Sequence, residues 1–545
     1  MTNDRQPIYI TPENVQRTLG RDAQRNNILA AKIVAETVKT TLGPKGMDKM
    51  LVDATGNIII TNDGVTILQE MEIEHPAAKM MVDIAKTQEN EVGDGTTTAV
   101  MLAGKFLENA EKLLDMKIHP TVIIKGYKMA AKEAERAIKE DISVNSENVS
   151  DVVLKYVAMT AMTGKGAEND KEKLADIVVT AIRRVMDNKT VDLDNIKIEK
   201  SLGGAVEDSK LIDGIVLDKE RVSIEMPESI NNARIALIDF ALEARGPEGD
   251  SKISINSPEQ LQGFIDREER AIKSMTEKIF ASGANVLLCQ KGIDDVAQYY
   301  LARAGIYTCR RIAKSDMERL ARATGGHIIS SLNDLTSLEL GKARIVREVI
   351  GGDNEKMTYV EGCDNPKSVS ILIRGGTRHV VDEIERAIRD GLGDIASVVK
   401  SGSIVAGAGA IEIELSKKLR EFANRLNGRE RLAVEEFARA LECIPSALAE
   451  NAGLDPIDIV TELKSQHDKG EIYAGINLIT NKIENVLEAG IIEPAKNKLQ
   501  AISSASEVAN MILRIDDVLA ANTKPRNTGM SRMGSLGAKD FSDGM

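Results

Sequence analysis

Between positions 22 and 42, apolar residues recur at Ile28, Ala31, Ala35, Val38 and Leu42, in alternating steps of three and four. That spacing lines one face of an α-helix, and Gly43-Pro44 ends it. A short β-branched run at 57–61 stops at Asn62-Asp63-Gly64, which predicts a strand ending in a turn. A second helix is predicted over 97–114, preceded by Val92-Gly93-Asp94-Gly95. Charge-rich helical sequence continues over 120–139 and 149–186, interrupted by Thr163-Gly164-Lys165-Gly166. The first third of the chain therefore reads as mostly helical.

The pattern changes near Ile215. Short apolar runs at 233–242, 284–289, 327–330 and 368–373 alternate with helical stretches at 258–281, 294–304 and 316–324. That is the alternation of an α/β domain. Beyond Arg374-Gly375-Gly376, helices are predicted again at 379–391, 410–427, 434–449 and 503–519. Residues 522–545 mix Gly, Ser, Met and Lys without a period and predict a mobile tail. There is no tandem repeat.

With 545 residues, and about 150 residues per domain, roughly three or four domains are expected. The content of 42% hydrophobic and 28% charged residues is that of a globular chain. A net charge of −13 argues against nucleic acid as the main partner, because phosphate backbones select clustered Lys and Arg. The sequence lacks a bilayer-length apolar stretch, and residues 1–10 lack the pattern of a signal peptide. A cytoplasmic protein without a membrane partner is the expectation. Cys289, Cys309, Cys363 and Cys443 are far apart, and the five histidines lack metal-ligand spacing, so catalysis is left to Asp, Glu and Lys. At 3% aromatic residues with no Trp, stacking on sugars or single strands is a weak reading.

Gly93-Asp94-Gly95-Thr96-Thr97-Thr98, opening an apolar helix, combines what a polyphosphate needs: glycines for close backbone approach, N–H groups at a helix start, and hydroxyl donors. Asp94 repels bare phosphate, so its carboxylate makes sense as a holder of Mg2+ on the phosphates. An Asp-Gly turn with a Thr N-cap is the plain alternative, and both readings stay open. Leu42-Gly43-Pro44-Lys45-Gly46 is a helix stop that alone says little. Neither the Gly-x-x-x-x-Gly-Lys-Ser/Thr phosphate loop nor a full dinucleotide fingerprint is present; Gly407-Ala408-Gly409-Ala410 lacks the third glycine. Taken singly, Asp63 reads as a turn former, Asp390 as a solvated helix residue and Lys165 as a loop lysine. Leu261, Phe264, Ile265, Ile272, Met275 and Ile279 form a helical apolar stripe, preceded by alternating Ile253 and Ile255. Such a stripe is usually core; a segment presented to apolar partners is the rarer reading.

Together these pieces resemble the group II chaperonins, the archaeal thermosome and its eukaryotic cytosolic relatives, from about Gln16 to the tail. The resemblance rests on ordered motifs: Thr41-Leu42-Gly43-Pro44-Lys45-Gly46-Met47-Asp48, Asn62-Asp63-Gly64-Val65-Thr66-Ile67, Gly93 to Thr98, Ser315-Asp316-Met317, Ala323-Thr324-Gly325, Arg374-Gly375-Gly376-Thr377 and Asn451-Ala452-Gly453-Leu454-Asp455-Pro456. The ending Asp543-Gly544-Met545 is similar to the tails of this group.

The resemblance implies a multi-domain α and α/β subunit. A mainly helical equatorial ATPase domain would be built from 1–145 and 404–525, a small intermediate domain from 146–215 and 368–403, and an α/β apical domain from 216–367. A helical lid protrusion would span about 244–279, and 526–545 would be a flexible tail. The implied cofactors are ATP and Mg2+. Thr41, Leu42, Gly43 and Pro44 with Gly95, Thr96, Thr97 and Thr98 would contact phosphates, Asp94 would hold Mg2+, and Gly409 and Glu493 would approach the ribose. Asp63 and Asp390 would position and activate water, and Lys165 would sense the γ-phosphate. Ile253, Ile255, Leu261, Phe264, Ile265 and Tyr299 would serve the lid and the unfolded client.

The implied partners are non-native proteins, identical or paralogous subunits in two stacked eight-membered rings, and a prefoldin-type co-chaperone. Ala408 departs from the family's usual third glycine, and Asn477 and Gly391 from its usual Asp and Ala. Ala408 motivates an alternative, a divergent, weakly hydrolysing structural subunit of a mixed ring, against which the intact Asp63, Asp94 and Asp390 argue. An ATP-dependent small-molecule enzyme is the remaining rival, without a substrate-pocket signature to support it.

Overall fold

The computed structural model describes residues 15–52, 56–145, 149–166, 170–243, 257–352, 354–364 and 366–521. Ile253, Ile255 and the first part of the expected protrusion, 244–256, lie outside the described residues, as does the expected tail.

The helix Thr96–Asp115 is apolar and buried around most of its circumference, with one polar strip through Lys105, Glu108, Lys112 and Asp115 left open, as suits a helix near the centre of a bundle. The helices Gly20–Lys39, Pro76–Val92, Glu430–Leu441 and Ala495–Leu513 surround it. Gly104 permits one of these approaches, since a Cβ there would stand 2.4 Å from the Ala35 methyl. Phe106 stacks on Phe437 at 4.1 Å, and Tyr127 meets Phe437 edge-on at 5.4 Å. The Tyr127 hydroxyl donates to the Phe106 carbonyl at 2.7 Å, so this aromatic knot is polar-satisfied as well as packed. The core draws on both ends of the chain, from Ile28 to Ile142 and from Val405 to Leu513.

A second core joins the helices Asp151–Met162, Lys171–Val185 and Arg378–Ser401. They pack on a three-stranded sheet whose central strand, Val369–Gly375, runs parallel to Ile196–Leu202 and antiparallel to Lys210–Ile212. A third body is built on a seven-stranded mixed sheet. Its parallel part is Tyr307–Cys309, Val286–Cys289, Ser229–Ile238 and Ile328–Ile329; its antiparallel part is Gly341–Ile350, Lys356–Glu361 and Gly214–Leu217. Each face of this sheet carries its own apolar core. In the helix Pro258–Ala281 the apolar stripe divides: Ile272 and Ile279 are core, whereas Leu261 and Ile265 are nearly half exposed.

Several local expectations change. Asn62-Asp63-Gly64 starts the helix Gly64–Glu70, with Asp63 as its N-cap, rather than making a turn. The stretch 434–449 is two helices, Glu430–Leu441 and Cys443–Asn451; the break places Pro445, which lacks an N–H, in a first turn that needs none. The helix expected at 379–391 continues to Ser401, because tight packing tolerates Gly391 and Gly393 in its interior. The helix expected at 503–519 is Ala495–Leu513, and Leu519 lies on the strand Asp517–Ala521, paired with the distant Val15–Leu19. The helices Pro76–Val92 and Pro456–Asp468 and the antiparallel half of the large sheet are absent from the periodicity reading.

The aromatic knot makes the first prediction. Phe437→Ala leaves a cavity between the two chain ends and is expected to lower stability by about 3–5 kcal/mol, read as an earlier urea-unfolding midpoint.

Candidate functional site

The site grows from three backbone turns. The helix Gly20–Lys39 ends in a turn in which the Met47 N–H donates to the Thr40 carbonyl at 2.8 Å. The Asn451 side chain clamps this turn, donating to the carbonyls of Lys39 at 3.0 Å and Leu42 at 2.9 Å. Gly43 is left-handed, at φ +81°, and a Cβ there would strike Leu448 at 2.4 Å. The turn Thr41 to Pro44 is therefore held by residues far along the chain.

The second turn opens the helix Thr96–Asp115. Its N-cap is Gly95, left-handed at φ +81° and without a side-chain cap, so the Thr N-cap reading does not hold. The first intrahelical bond is from the Ala99 N–H to the Gly95 carbonyl. The amides of Thr96, Thr97 and Thr98 precede it and have no intrahelical acceptor, which makes this end attractive to anions. Gly64 packs against it, since a Cβ there would stand 2.6 Å from the Thr97 hydroxyl. That contact brings Asp63 alongside. One Asp63 oxygen, Oδ2, accepts from the Thr66 N–H at 2.8 Å and hydroxyl at 2.6 Å.

The third turn, Thr163 to Gly166, belongs to the second body. A Cβ on Gly164 would meet the Gly43 carbonyl at 2.9 Å, and the Asn62 amide donates to the Gly164 carbonyl. This seating delivers Lys165, whose ammonium contacts the Asp390 carboxylate and stands 3.4 Å from Asp94 Oδ1. Burial opposes its charge, but Asp390, Asp94 and Asp63 outweigh burial and raise its pKa, so it stays cationic. Burial raises the Asp390 pKa, Lys165 opposes the rise, and Asp94 and Asp63 add to it.

Thr41, Leu42, Gly43, Pro44, Asp63, Asp94, Gly95, Thr96, Thr97, Thr98, Lys165, Gly409 and Glu493 line one cavity. Asp390 stands just behind that wall, joined to it through Lys165. Leu261, Phe264, Ile265 and Tyr299 are in the third body, apart from the cavity; Tyr299 is 53% exposed on the helix Asp295–Arg303, which packs against Pro258–Ala281. Lys165 and Asp390, which singly read as a loop lysine and a solvated helix residue, are mostly enclosed, with 19% and 14% of their side chains exposed.

Several residues of the site carry no sequence signal. Lys498 joins Glu493 at 2.8 Å and the buried Glu412 at 2.9 Å. Burial works against its charge, yet the two carboxylates raise its pKa. Burial raises that of Glu493 despite Lys498. Gly407 admits Glu493, because a Cβ there would lie 2.7 Å from Glu493 Oε1. Tyr156, Met159, Leu478, Ile479 and Ile491 add apolar side chains to the cavity lining. Asp394, one helical turn past Asp390, also borders the cavity, 2% exposed.

Among the described residues, no group of three or more His, Cys, Asp or Glu is disposed to hold a metal ion by itself. The fit is instead to an ion held by one or two carboxylates and completed by phosphate oxygens, which is how Mg2+ is usually bound. Asp63, Asp94 and Asp390 act together on Lys165, a local excess of carboxylates that a divalent ion on the phosphates would offset.

Helix-start amides, carboxylates and a lysine beside apolar side chains, on a mixed helical and sheet scaffold, are chemistry suited to a polyphosphate. Residues 34–523 match the model of the TCP-1/cpn60 chaperonin family, and the chain belongs to that family. It is 55% identical over 535 residues to the thermosome subunit beta of Archaeoglobus fulgidus, covering 97% of this chain and 98% of that one. It is 54% identical over 540 residues to the thermosome subunit of Methanocaldococcus jannaschii, covering 98% and 99%. The thermosome subunit alpha of Archaeoglobus fulgidus is also 54% identical, with 96% of each chain covered.

Two predictions follow from the site's geometry. Ala408 is left-handed, at φ +53°, where a Cβ is strained; Ala408→Gly is expected to stabilise the chain by about 1 kcal/mol, read as a later unfolding midpoint. Burial, then the Asp94 charge, push the Asp394 pKa well above the ordinary carboxylate range. The folded chain therefore holds that proton more tightly than the unfolded one, and stability falls as pH rises through this window. Asp394→Asn removes the effect: near about pH 4 the two midpoints coincide, and toward about pH 8 the variant becomes the more stable.

Proposed function

We propose that the chain is an ATP-hydrolysing chaperonin ring subunit, which binds non-native protein, encloses it under a built-in lid and releases it for folding. The observation that carries the reading is the ion-pair bridge from Lys165 and Asp390, on the second body, to Asp94 on the helical body. A site completed by two bodies can couple phosphoryl chemistry to their relative movement. Family membership and full-length similarity to thermosome subunits support the same reading.

In this proposal the helical body is the equatorial domain, the second body the intermediate domain and the large-sheet body the apical domain. The separate cores, which draw on those chain segments, support that layout. The amides of Thr96 to Thr98 and the turn Thr41 to Pro44 hold the phosphates, Asp94 holds Mg2+, and Gly409 and Glu493 face the ribose. When bound, Mg2+ supplies charge neutralisation on the phosphates. Lys165 is drawn from Asp390 toward the γ-phosphate, which frees the Asp390 carboxylate to work with Asp63 in orienting water and accepting its proton. Leu261, Ile265 and Tyr299, exposed on neighbouring helices, offer an apolar surface to unfolded chains.

Ring assembly finds support in open sheet edges. The hairpin Lys49–Val52 with Ile58–Thr61 and the pair Val15–Leu19 with Asp517–Ala521 are two-stranded sheets. Met50, Val52, Ile58, Leu19 and Leu519 on them are largely exposed. Among the described residues each of these sheets has only two strands, and edges with exposed apolar side chains are suited to strand pairing with a neighbouring subunit. Among the described residues no helix is long and apolar enough to cross a membrane, and we place the assembly in the cytoplasm.

The test is phosphate release from Mg-ATP by the purified particle, with its mass from light scattering. Asp390→Ala is expected to lower turnover by roughly 100-fold or more while nucleotide binding and particle mass persist. Wild-type turnover that survives the substitution would overturn the role of Asp390. A ring-sized particle with bound nucleotide and no wild-type turnover would favour the structural-subunit reading, for which the strained Ala408 on the cavity wall is the supporting observation.

A further inference from the structure

Asp390 and Asp394 lie four residues apart on the helix Arg378–Ser401 and share one face of it. Between them, Gly393 rests on the Gly93–Thr98 loop: a Cβ on Gly393 would stand 3.4 Å from the Val92 carbonyl and 3.7 Å from the Gly93 Cα. On another side, a Cβ on Gly391 would lie 2.9 Å from Met162. At Gly393 the helix therefore meets the phosphate loop through bare backbone, and side chains to either side link the two: Asp390 through Lys165 to Asp94, and Asp394 through a second route.

That second route is a buried polar chain. The Asn497 amide donates to Asp394 Oδ1 at 2.7 Å, and both residues are almost wholly buried, at 3% and 2% exposed. The Asn497 backbone carbonyl accepts from Gln88 Nε2 at 3.2 Å, and the same nitrogen donates to the Asp94 carbonyl at 2.8 Å. Gln88 is fully buried, and a Cβ on Gly95 would stand 3.1 Å from its Nε2. Asp394, Asn497 and Gln88 thus connect the helix that carries Asp390 to the backbone that carries Asp94, through elements from three parts of the chain.

We propose that Asp394 is a positioning residue of this site, which acts through Asn497 and Gln88 to keep Asp390 in register with the Gly93–Thr98 loop. The proposal rests on the ATPase reading for its effect on turnover and on geometry alone for its effect on the loop. Buried polar groups are costly where apolar packing would serve, and their best-attested benefit is a unique register. Gln88 Oε1 and Asn497 Oδ1 are buried without a donor, so the cluster has acceptors in excess. A carboxyl that keeps its proton fits beside them, and a neutral amide at 394 can therefore take its place.

The experiment uses the full-length assembled particle and the variants Asp394→Leu, Asp394→Asn and Asn497→Leu. Asp394→Leu is expected to lower kcat about 10- to 100-fold with KM for Mg-ATP within about twofold, the signature of misplaced rather than weakened binding groups. Asp394→Asn is expected to recover most of that loss. In the nucleotide-free protein, amide hydrogen exchange over residues 93–98 is expected to quicken in Asp394→Leu and not in Asp394→Asn. Wild-type kcat and loop protection in Asp394→Leu overturn the proposal. So does an Asp394→Asn variant as impaired as Asp394→Leu, which would make the charge rather than the position decisive. Should Asp394→Leu not fold, Asn497→Leu breaks the same chain from its other side and carries the same expectations. Should the wild-type particle turn over no ATP, the ATPase reading fails, while the exchange measurement still decides whether Asp394 holds the loop.

Discussion

A lysine enclosed among carboxylates sets the conditions for the rest of this molecule. Lys165 is desolvated, and an enclosed ammonium is tolerated only with close counter-charges. Asp390 and Asp94 supply them, one from its own body and one from the helical body. The arrangement links the two bodies and still leaves more carboxylates than lysines at the contact. Removing Lys165 would leave Asp390 and Asp94 without their counter-charge, so the lysine is the member on which the cluster depends.

Such a cluster forms only if three backbone segments come almost into van der Waals contact, and glycine is what permits it. Gly64 lies on Thr97, Gly164 on the Gly43 carbonyl and Gly393 beside Gly93; any Cβ at Gly64 or Gly164 would be too close. Gly43 and Gly95 also need left-handed backbone, which other residues adopt only under strain. Ala408 adopts it without being glycine. The cost of glycine inside the helix Arg378–Ser401 is offset by packing on two sides, and its consequence is a contact that polar side chains must align.

The surrounding cores give this cluster its rigidity. The aromatic knot of Phe106, Tyr127 and Phe437 ties the two chain ends into one body, so residues from 41 to 98 and from 409 to 498 face one cavity. The second body rests on a different core and touches the first near the cluster. Separate cores with a charged contact between them allow relative movement without unfolding either, and the carboxylates and lysine at the contact would respond to bound phosphate.

The helix Thr96–Asp115, the Gly-Asp-Gly-Thr-Thr-Thr start of it and the α/β character of the middle of the chain were all legible by themselves, because each depends on local periodicity or on a contiguous motif. Motif order across the chain was enough to reach the family. Asp63, Lys165 and Asp390 carried no such signal singly: as isolated residues they read as a turn, a loop and a solvated helix. Asp394, Asn497, Gln88 and Lys498 gave none at all, since a buried hydrogen bond between distant helices leaves no spacing to detect. The paired strands Val15–Leu19 and Asp517–Ala521 were missed for the same reason. Local sequence determined many of the helices and strands and where glycine leaves backbone bare, through periodicity and propensity. Only tertiary packing decided which charges meet, because the energy of a buried charge is set by neighbours that the chain brings from far away.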